Sequence, residues 1–397
     1  MGPTGCTGVV FVIFGLRLRL VKVAVEQPSC IWRAFDVPPS LFAASLLTRH
    51  EALLSDLMKQ KWLTGVSAMR GKIALEEHFA IEETLKDSAG FAPEADWPEL
   101  KARLLDIQDR RLREMDSHGI EVMLLSLNAP AVQAIPDRGK ANEISRRSND
   151  FMAEQIQRRP SRFRGLAALP MQTPDLAARE LERCVRDLKF SGALVNGFSQ
   201  VSDSDCGVYY DLKAYWPFWA EVERLDVPFY LHPRNPLPKD AVIYEGHRWL
   251  LGPSWAFGQE TAVHALRLMG SGLFDAYPRL NVIIGHMGEG LPYSMWRIDN
   301  HNKWMREQNR YPAKRKIADY FRENFYITTS GNFRTQTLID AMLEIGADRI
   351  LFSTDWPFEN IDHAADWFDA APIAEADRQK IGRDNARALF KLDRAGG

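Results

Sequence analysis

The segment GKIALEEHFA, residues 71–80, delivers Glu76, Glu77 and His78 to the end of an apolar run. Glu76 and His78 stand two residues apart, so on a strand their side chains share one side while Glu77 points to the other. Three more chemically competent groups follow apolar runs in the same way: His232 in LHPRNP, His286 in GHMGEG and Asp355 in STDWPFEN. Carboxylate oxygens mixed with imidazole nitrogens suit Zn2+ or Mn2+. Glu76, His78, His232 and Asp355 would leave a bound cation open to one or two outside ligands. His286 is followed three residues later by Glu289. A carboxylate so near an imidazole orients it and stabilises its protonated form, the logic of an acid–base dyad.

Each of these residues has a plainer alternative. Glu76 and Asp355 are also suited to capping a turn or helix. A lone His78 is more often a hydrogen-bonded core histidine, and Glu289 sits between glycines as a surface acid would. Their shared position after apolar runs is what favours chemistry. His50, His118, His247, His264, His301 and His363 fall in the leading segment, in helical stretches or in loops, and are expected to be non-catalytic. Glu77 is expected to be structural. No Gly-x-Ser-x-Gly elbow competes as a nucleophile site.

The runs that must position these groups recur regularly from Lys72 onward. They are KIALEEH (72–78), EVMLLSL (121–127), FRGLAALP (163–170), GALVNGF (192–198), VPFYLHP (227–233), NVIIGHMG (281–288), NFYITTS (324–330) and RILFSTDWP (349–357). They mostly lack polar alternation, which suits parallel strands covered on both faces. Amphipathic stretches such as WPELKARLLDIQDRRLREMDSHGI and PDLAARELERCVRDLKF lie between them. In the second, Pro174 fits a first helical turn, and Leu176, Leu181, Cys184, Val185 and Leu188 fall near one face. Eight strand–helix alternations predict an α/β fold, a (β/α)8 TIM barrel, whose chemistry lies at the C-terminal rim of its strands. An open doubly wound sheet is the alternative, weakened by the lack of a Gly-rich phosphate loop after the first strand.

Composition is that of an ordinary globular chain: 397 residues, 46% hydrophobic and 26% charged, with net charge -2. The charge gives no reason to expect nucleic acid or an anionic membrane as partner. Cys6, Cys30, Cys184 and Cys206 show no metal-finger spacing, which fits unpaired thiols in a reducing, cytoplasmic setting. The apolar run Gly8–Leu16 is too short to span a membrane and has no basic residues before it, so no membrane anchor or signal peptide is expected. Residues 1–68 lack the regular pattern and are expected to be an N-terminal extension, disordered or a start-site artefact. Residues 69–397, from Met69, form the barrel domain.

The segments GKIALEEHFAIEETLKDSAGF, LHPRNPLP, GHMGEGLPYSMWRID and ILFSTDWPFENIDHAADWF resemble the non-oxidative aromatic acid decarboxylases of the amidohydrolase superfamily. The similarity runs from about Met69 to Leu392 and is strongest to the gamma-resorcylate branch. His78 supports that branch, since some fungal relatives acting on 2,3-dihydroxybenzoate lack this imidazole. The resemblance implies one divalent metal, Mn2+ or Zn2+, held by Glu76, His78, His232 and Asp355. It implies no organic cofactor, a small aromatic acid substrate and a homotetramer built from dimers.

The implied reaction is reversible conversion of 2,6-dihydroxybenzoate to resorcinol and CO2. Direct loss of CO2 would leave an unstable aryl anion, so protonation of the ring carbon comes first. Asp355 is the expected proton donor, with His286, tuned by Glu289, binding a phenolic oxygen or shuttling the proton. Phe91 and Phe358 are expected to pack on the ring, and Arg297 to bind a substrate oxygen or hold a subunit interface. Three other functions stay open: metal-dependent hydrolysis of a lactone or amide, decarboxylation of 2,3-dihydroxybenzoate or salicylate, and a non-catalytic binding barrel.

Overall fold

The computed structural model describes residues 68–203, 205–308 and 310–392, together with the backbone of two N-terminal strands. Those strands, Val9–Phe14 and Arg17–Lys22, pair antiparallel; the chain divides after Val66. The rest of the expected extension lies outside the described residues. A second unit runs from Ser67 to Gly397.

The second unit contains eight parallel strands: β1 (Lys72–Phe79), β2 (Ile120–Leu127), β3 (Phe163–Ala167), β4 (Gly192–Asn196), β5 (Phe229–His232), β6 (Val282–Ile284), β7 (Phe325–Thr328) and β8 (Ile350–Leu351). They pair in sequence order, and a parallel bridge from Leu75 to Ser353 joins β1 to the segment just after β8. The Leu75 N–H also donates to the Phe352 carbonyl at 3.3 Å, and the His78 N–H to that of Trp356 at 2.6 Å. The sheet therefore closes on itself, and the predicted (β/α)8 barrel is the observed fold. All eight predicted strands are present, the later ones shorter than their apolar runs.

Burial on both sides explains the unbroken apolar runs. Leu75, Leu124, Leu166, Leu194, Tyr230, Ile283 and Leu351 fill the barrel interior, and Phe390 packs with them. Their neighbours Ala74, Met123, Leu125, Val195, Leu231 and Ile284 face the outer layer and meet the helices. Each fully buried side chain of this kind contributes about 2 kcal/mol relative to exposure.

Two helical details differ from the sequence pattern. The stretch after β1 is broken into Trp97–Leu105 and Arg110–Ser117. Asp106 makes the break: its carboxylate accepts the N–H groups of Asp109, Arg110 and Arg111 at 3.3, 3.1 and 3.2 Å, the free donors of a new helix start. Helix Pro174–Arg186 starts at its proline as expected, but its buried face includes Glu180. Arg146 and Arg183 neutralise that carboxylate, and Asn149 donates to it.

Candidate metal centre and acid–base dyad

The barrel's C-terminal rim collects the predicted groups. Ligand-capable atoms of Glu76, His78, His232 and Asp355 all lie within 4.8 Å of one another. Glu76 Oε1 stands 3.2 Å from His232 Nε2, and His78 Nε2 stands 3.6 Å from Asp355 Oδ1. Glu76, His78 and His232 are buried, and Asp355 is partly exposed.

Simple strand alternation does not account for this convergence. Ile73 and Leu75 face the barrel interior, so regular alternation would send Glu77 inward next. A register shift between Ala74 and Glu77 intervenes, and Glu76 takes a left-handed φ of 59°. This bulge resets the alternation, so that Glu76 and His78 take the inner side. Glu77 lies on the other side, where it accepts the Thr354 N–H at 3.0 Å and the Thr354 hydroxyl at 2.6 Å. It ties β1 to the segment after β8, the structural role expected of it. Burial raises the Glu77 carboxyl to about 8, against the opposing pull of Thr354.

The same backbone device recurs around the rim. His286, Glu289 and Asp355 have φ of 50°, 54° and 64°. Side chains rarely adopt such angles, and in native proteins they gather at functional sites. Here they follow short strands: β6 ends two residues before His286, and β8 ends four before Asp355.

The dyad is formed. His286 Nδ1 lies 2.7 Å from Glu289 Oε1, and its Nε2 faces Glu76 Oε1 at 3.4 Å and Asp355 Oδ2 at 3.7 Å. Burial opposes a charge on His286, yet the carboxylates of Glu289, Glu76 and Asp355 together hold its pKa well above the usual histidine value. Burial also raises Asp355, reinforced by Glu76 and opposed by His286. For Glu76, burial is outweighed by His286, His232 and His78, which hold the carboxyl low. Burial drops His78 to about 3, with His232 adding to the effect.

The donor set fits a divalent cation. Glu76 Oε1 and His78 Nε2 are buried without a hydrogen-bond partner, a costly state unless an unlike charge joins them. Ser126 Oγ lies 3.2 Å from His78 Nδ1, a contact that aims Nε2 inward. Two carboxylates would balance a 2+ charge, and the two imidazoles add borderline nitrogen donors.

The predicted ring-packing residues also come together. Phe358 and His78 have ring centroids 5.6 Å apart, and Phe91, at the end of the short helix Leu85–Phe91, lies 6.0 Å from Phe358. Arg297, on helix Leu291–Glu307, lines an open cavity of about 1310 Å³ with His286, Glu289, Gly331 and Asp355.

Several site residues escaped the sequence argument: Tyr230, Thr328, Ser330, Gly285 and Gly331. Tyr230 precedes His232 by two residues on β5, so strand alternation alone would have placed it one layer below the imidazole. Thr328, the last residue of β7, and Ser330 two residues on share one side by the same alternation. No simple pattern marks the two glycines.

Residues 67–392 match the family model described as amidohydrolase. A gamma-resorcylate decarboxylase of Polaromonas sp. (strain JS666 / ATCC BAA-500) is 75% identical over 326 residues, covering 82% of this chain and 100% of its own length. The crystal structure of a dihydroxybenzoic acid decarboxylase from Polaromonas sp. JS666, with bound manganese and the inhibitor 2-nitroresorcinol, superposes with a TM-score of 0.81 at 75% identity. It covers 82% of this chain and 98% of that one. A 2,6-dihydroxybenzoate decarboxylase complexed with 2,6-dihydroxybenzoate gives 0.80 at 73% identity, covering 82% and 100%. The closed barrel, the rim cluster and these matches agree: the chain belongs to the amidohydrolase family, in the group that contains the gamma-resorcylate decarboxylases.

Proposed function

We propose that the protein is a divalent-metal-dependent carboxy-lyase that converts 2,6-dihydroxybenzoate to resorcinol and CO2, reversibly. The observation that carries this is the juxtaposition of two units on one rim. One is the four-donor cluster of Glu76, His78, His232 and Asp355; the other is the His286–Glu289 pair, facing that cluster through Nε2. The relatives named above are decarboxylases of the same aromatic acid, one of them with manganese bound.

Glu76, His78, His232 and Asp355 would hold Mn2+ or Zn2+, which when bound supplies Lewis-acid charge for the substrate's carboxylate and an ortho oxygen. The protein's own groups handle the proton. Asp355 directs Oδ1 toward His78 and Oδ2 toward His286. Oδ2 is therefore the oxygen suited to carry a proton to the ring carbon that bears the carboxylate. When that carbon is protonated, the bond to the carboxylate breaks and its electron pair restores the aromatic ring as CO2 leaves. His286, held by Glu289, hydrogen-bonds the phenolic oxygen while the ring is dearomatised and re-protonates Asp355. Phe91 and Phe358 pack against the ring, and Arg297 meets a substrate oxygen. No organic cofactor is required by this chemistry.

Trp255 and Tyr293, which line the cavity, are exposed, as are Trp249 and Trp296. Apolar surface of that extent supports self-association, consistent with a homotetramer; sedimentation of the full chain tests it. No described helix is long and apolar enough to cross a membrane.

The test is a substrate panel with metal content measured on the same sample. Expected is resorcinol plus CO2 from 2,6-dihydroxybenzoate, loss of turnover after chelation and recovery with Mn2+ or Zn2+. Turnover of lactones without any of 2,6-dihydroxybenzoate would overturn the proposal in favour of a hydrolase.

A further inference from the structure

Glu76 uses its two oxygens differently. Oε1 has no hydrogen-bond partner and faces His232 and His286. Oε2 accepts hydrogen bonds from three hydroxyls: Tyr230, Ser330 and Thr328, the last at 3.3 Å. The hydroxyl oxygens also crowd one another, Thr328 Oγ1 standing 2.9 Å from the Tyr230 oxygen and 2.8 Å from Ser330 Oγ. The His286 N–H donates to Ser330 Oγ at 3.3 Å, so the ring is linked to the dyad's backbone. Tyr230, Thr328 and Ser330 are each fully buried, with no water to replace a lost partner.

The space beside the Glu76 carboxylate is confined as well. A Cβ at Gly285, directly after β6, would stand 2.9 Å from Glu76 Oε2, 3.2 Å from Oε1 and 3.2 Å from Ser330 Oγ. The backbone there requires no positive φ, so the glycine serves space alone. The close approach of Gly285 and the three hydroxyls together confine the carboxylate. The same contacts hold Glu76 in its left-handed backbone conformation, a state that persists only when its surroundings over-determine it.

We infer that Tyr230, Thr328 and Ser330 form a hydroxyl cage that locks Glu76 as a one-oxygen ligand and thereby sets the affinity of the rim for its divalent cation. Three O–H donors on one oxygen suit an ionised carboxylate, the form a cation requires. If Glu76 turned to offer both oxygens, it would abandon all three hydroxyls. These are positioning residues acting through Glu76, and the inference rests on the metal-centre reading above.

The experiment measures Mn2+ affinity of the full-length, chelator-stripped chain by competition with a chelating dye, alongside thermal melting of the metal-free forms. Tyr230→Phe and the near-isosteric Thr328→Val are each expected to bind Mn2+ about 10–100-fold more weakly, the usual effect of removing an outer partner of a ligand. Thr328→Ser keeps the hydroxyl and is expected to retain affinity. Gly285→Ala, which pushes on both Glu76 oxygens, is expected to weaken binding as well. Wild-type affinity in both Tyr230→Phe and Thr328→Val, with melting unchanged, overturns the cage while leaving the metal centre intact. Failure of the unaltered chain to bind Mn2+ or Zn2+ overturns the metal centre and the cage together.

Discussion

His286 and Asp355 face each other across 3.7 Å, Nε2 to Oδ2, over a glycine that keeps the space beside them clear. A Cβ at Gly331 would stand 2.9 Å from His286 Cδ2 and 3.2 Å from Asp355 Oδ2. Gly331 also has a φ of 57°, where a side chain adds strain of about 1 kcal/mol. Gly331→Ala is therefore expected to lower turnover about 100-fold, since small displacements of reacting groups are expensive. Its melting temperature should fall only slightly. Turnover within twofold of the unaltered chain would show that the two groups need no such spacing.

Asp355 carries two roles in the proposal, cation ligand through one oxygen and proton donor through the other. Asp355→Asn keeps an oxygen donor but removes the transferable proton. Turnover should drop by about 10²–10⁴-fold, with measurable metal still bound. Near-normal turnover in that variant would transfer the proton-donor role to another group.

Glu289 stands outside the four-residue cluster and bonds His286, its Oε1 2.7 Å from Nδ1. Replacing it by Gln keeps the shape and removes the charge. A fall in kcat of about 10–100-fold at unchanged metal content is expected. Equal loss of metal and activity would make Glu289 a support of the cluster instead.

How much of this was legible in the chain depends on what kind of feature it is. The strands were readable because a parallel strand covered on both faces must be apolar throughout, and KIALEEH or NVIIGHMG can satisfy no other environment as well. Glu76, His78, His232, His286 and Asp355 stood out because polar groups at the ends of such runs need partners. The pairing of Glu76 with His78 was foreseen from a two-residue spacing, yet the inner side they share is set by the bulge at Glu76, which spacing does not encode. Tyr230, Thr328 and Ser330 passed unnoticed because a hydroxyl in an apolar run looks like ordinary strand composition. Gly285 and Gly331 matter for what they leave out, and only the neighbours' coordinates reveal it.

Lys72 gives a prediction about the fold itself. It is fully buried, and its ammonium donates to the Met69 carbonyl at 2.7 Å, the His118 carbonyl at 2.9 Å and Asp369 Oδ2 at 3.0 Å. These bonds tie the start of β1 to the end of helix Arg110–Ser117 and to helix Ile361–Ala370. Lys72→Met leaves Asp369 without its cation and is expected to cost about 3 kcal/mol in urea unfolding. Lys72→Met combined with Asp369→Leu should recover part of that loss. If the single variant unfolds at the same urea concentration as the parent, the clamp contributes nothing.

His264 links stability to pH away from the rim. It is buried on helix Ala256–Gly270, where its Nε2 accepts the Tyr210 N–H at 3.2 Å and its ring meets those of Tyr209 and Tyr210. Burial, aided by the Arg267 charge, lowers its pKa from 6.5 to about 3. The imidazole is thus neutral in the folded chain, while the unfolded chain takes up its proton near pH 6.5. Unfolded molecules bind more protons between these values, so the His264 contribution is complete above pH 6.5 and is lost as pH falls toward 3. The slope is up to ~1.4 kcal/mol per pH unit. His264→Gln retains an acceptor for the Tyr210 N–H but has no proton to gain. Its stability deficit, measured by urea unfolding at pH 7.5, should shrink steadily between pH 6.5 and 5. A deficit that stays constant across that range would mean that protonation of His264 is not what the folded state excludes.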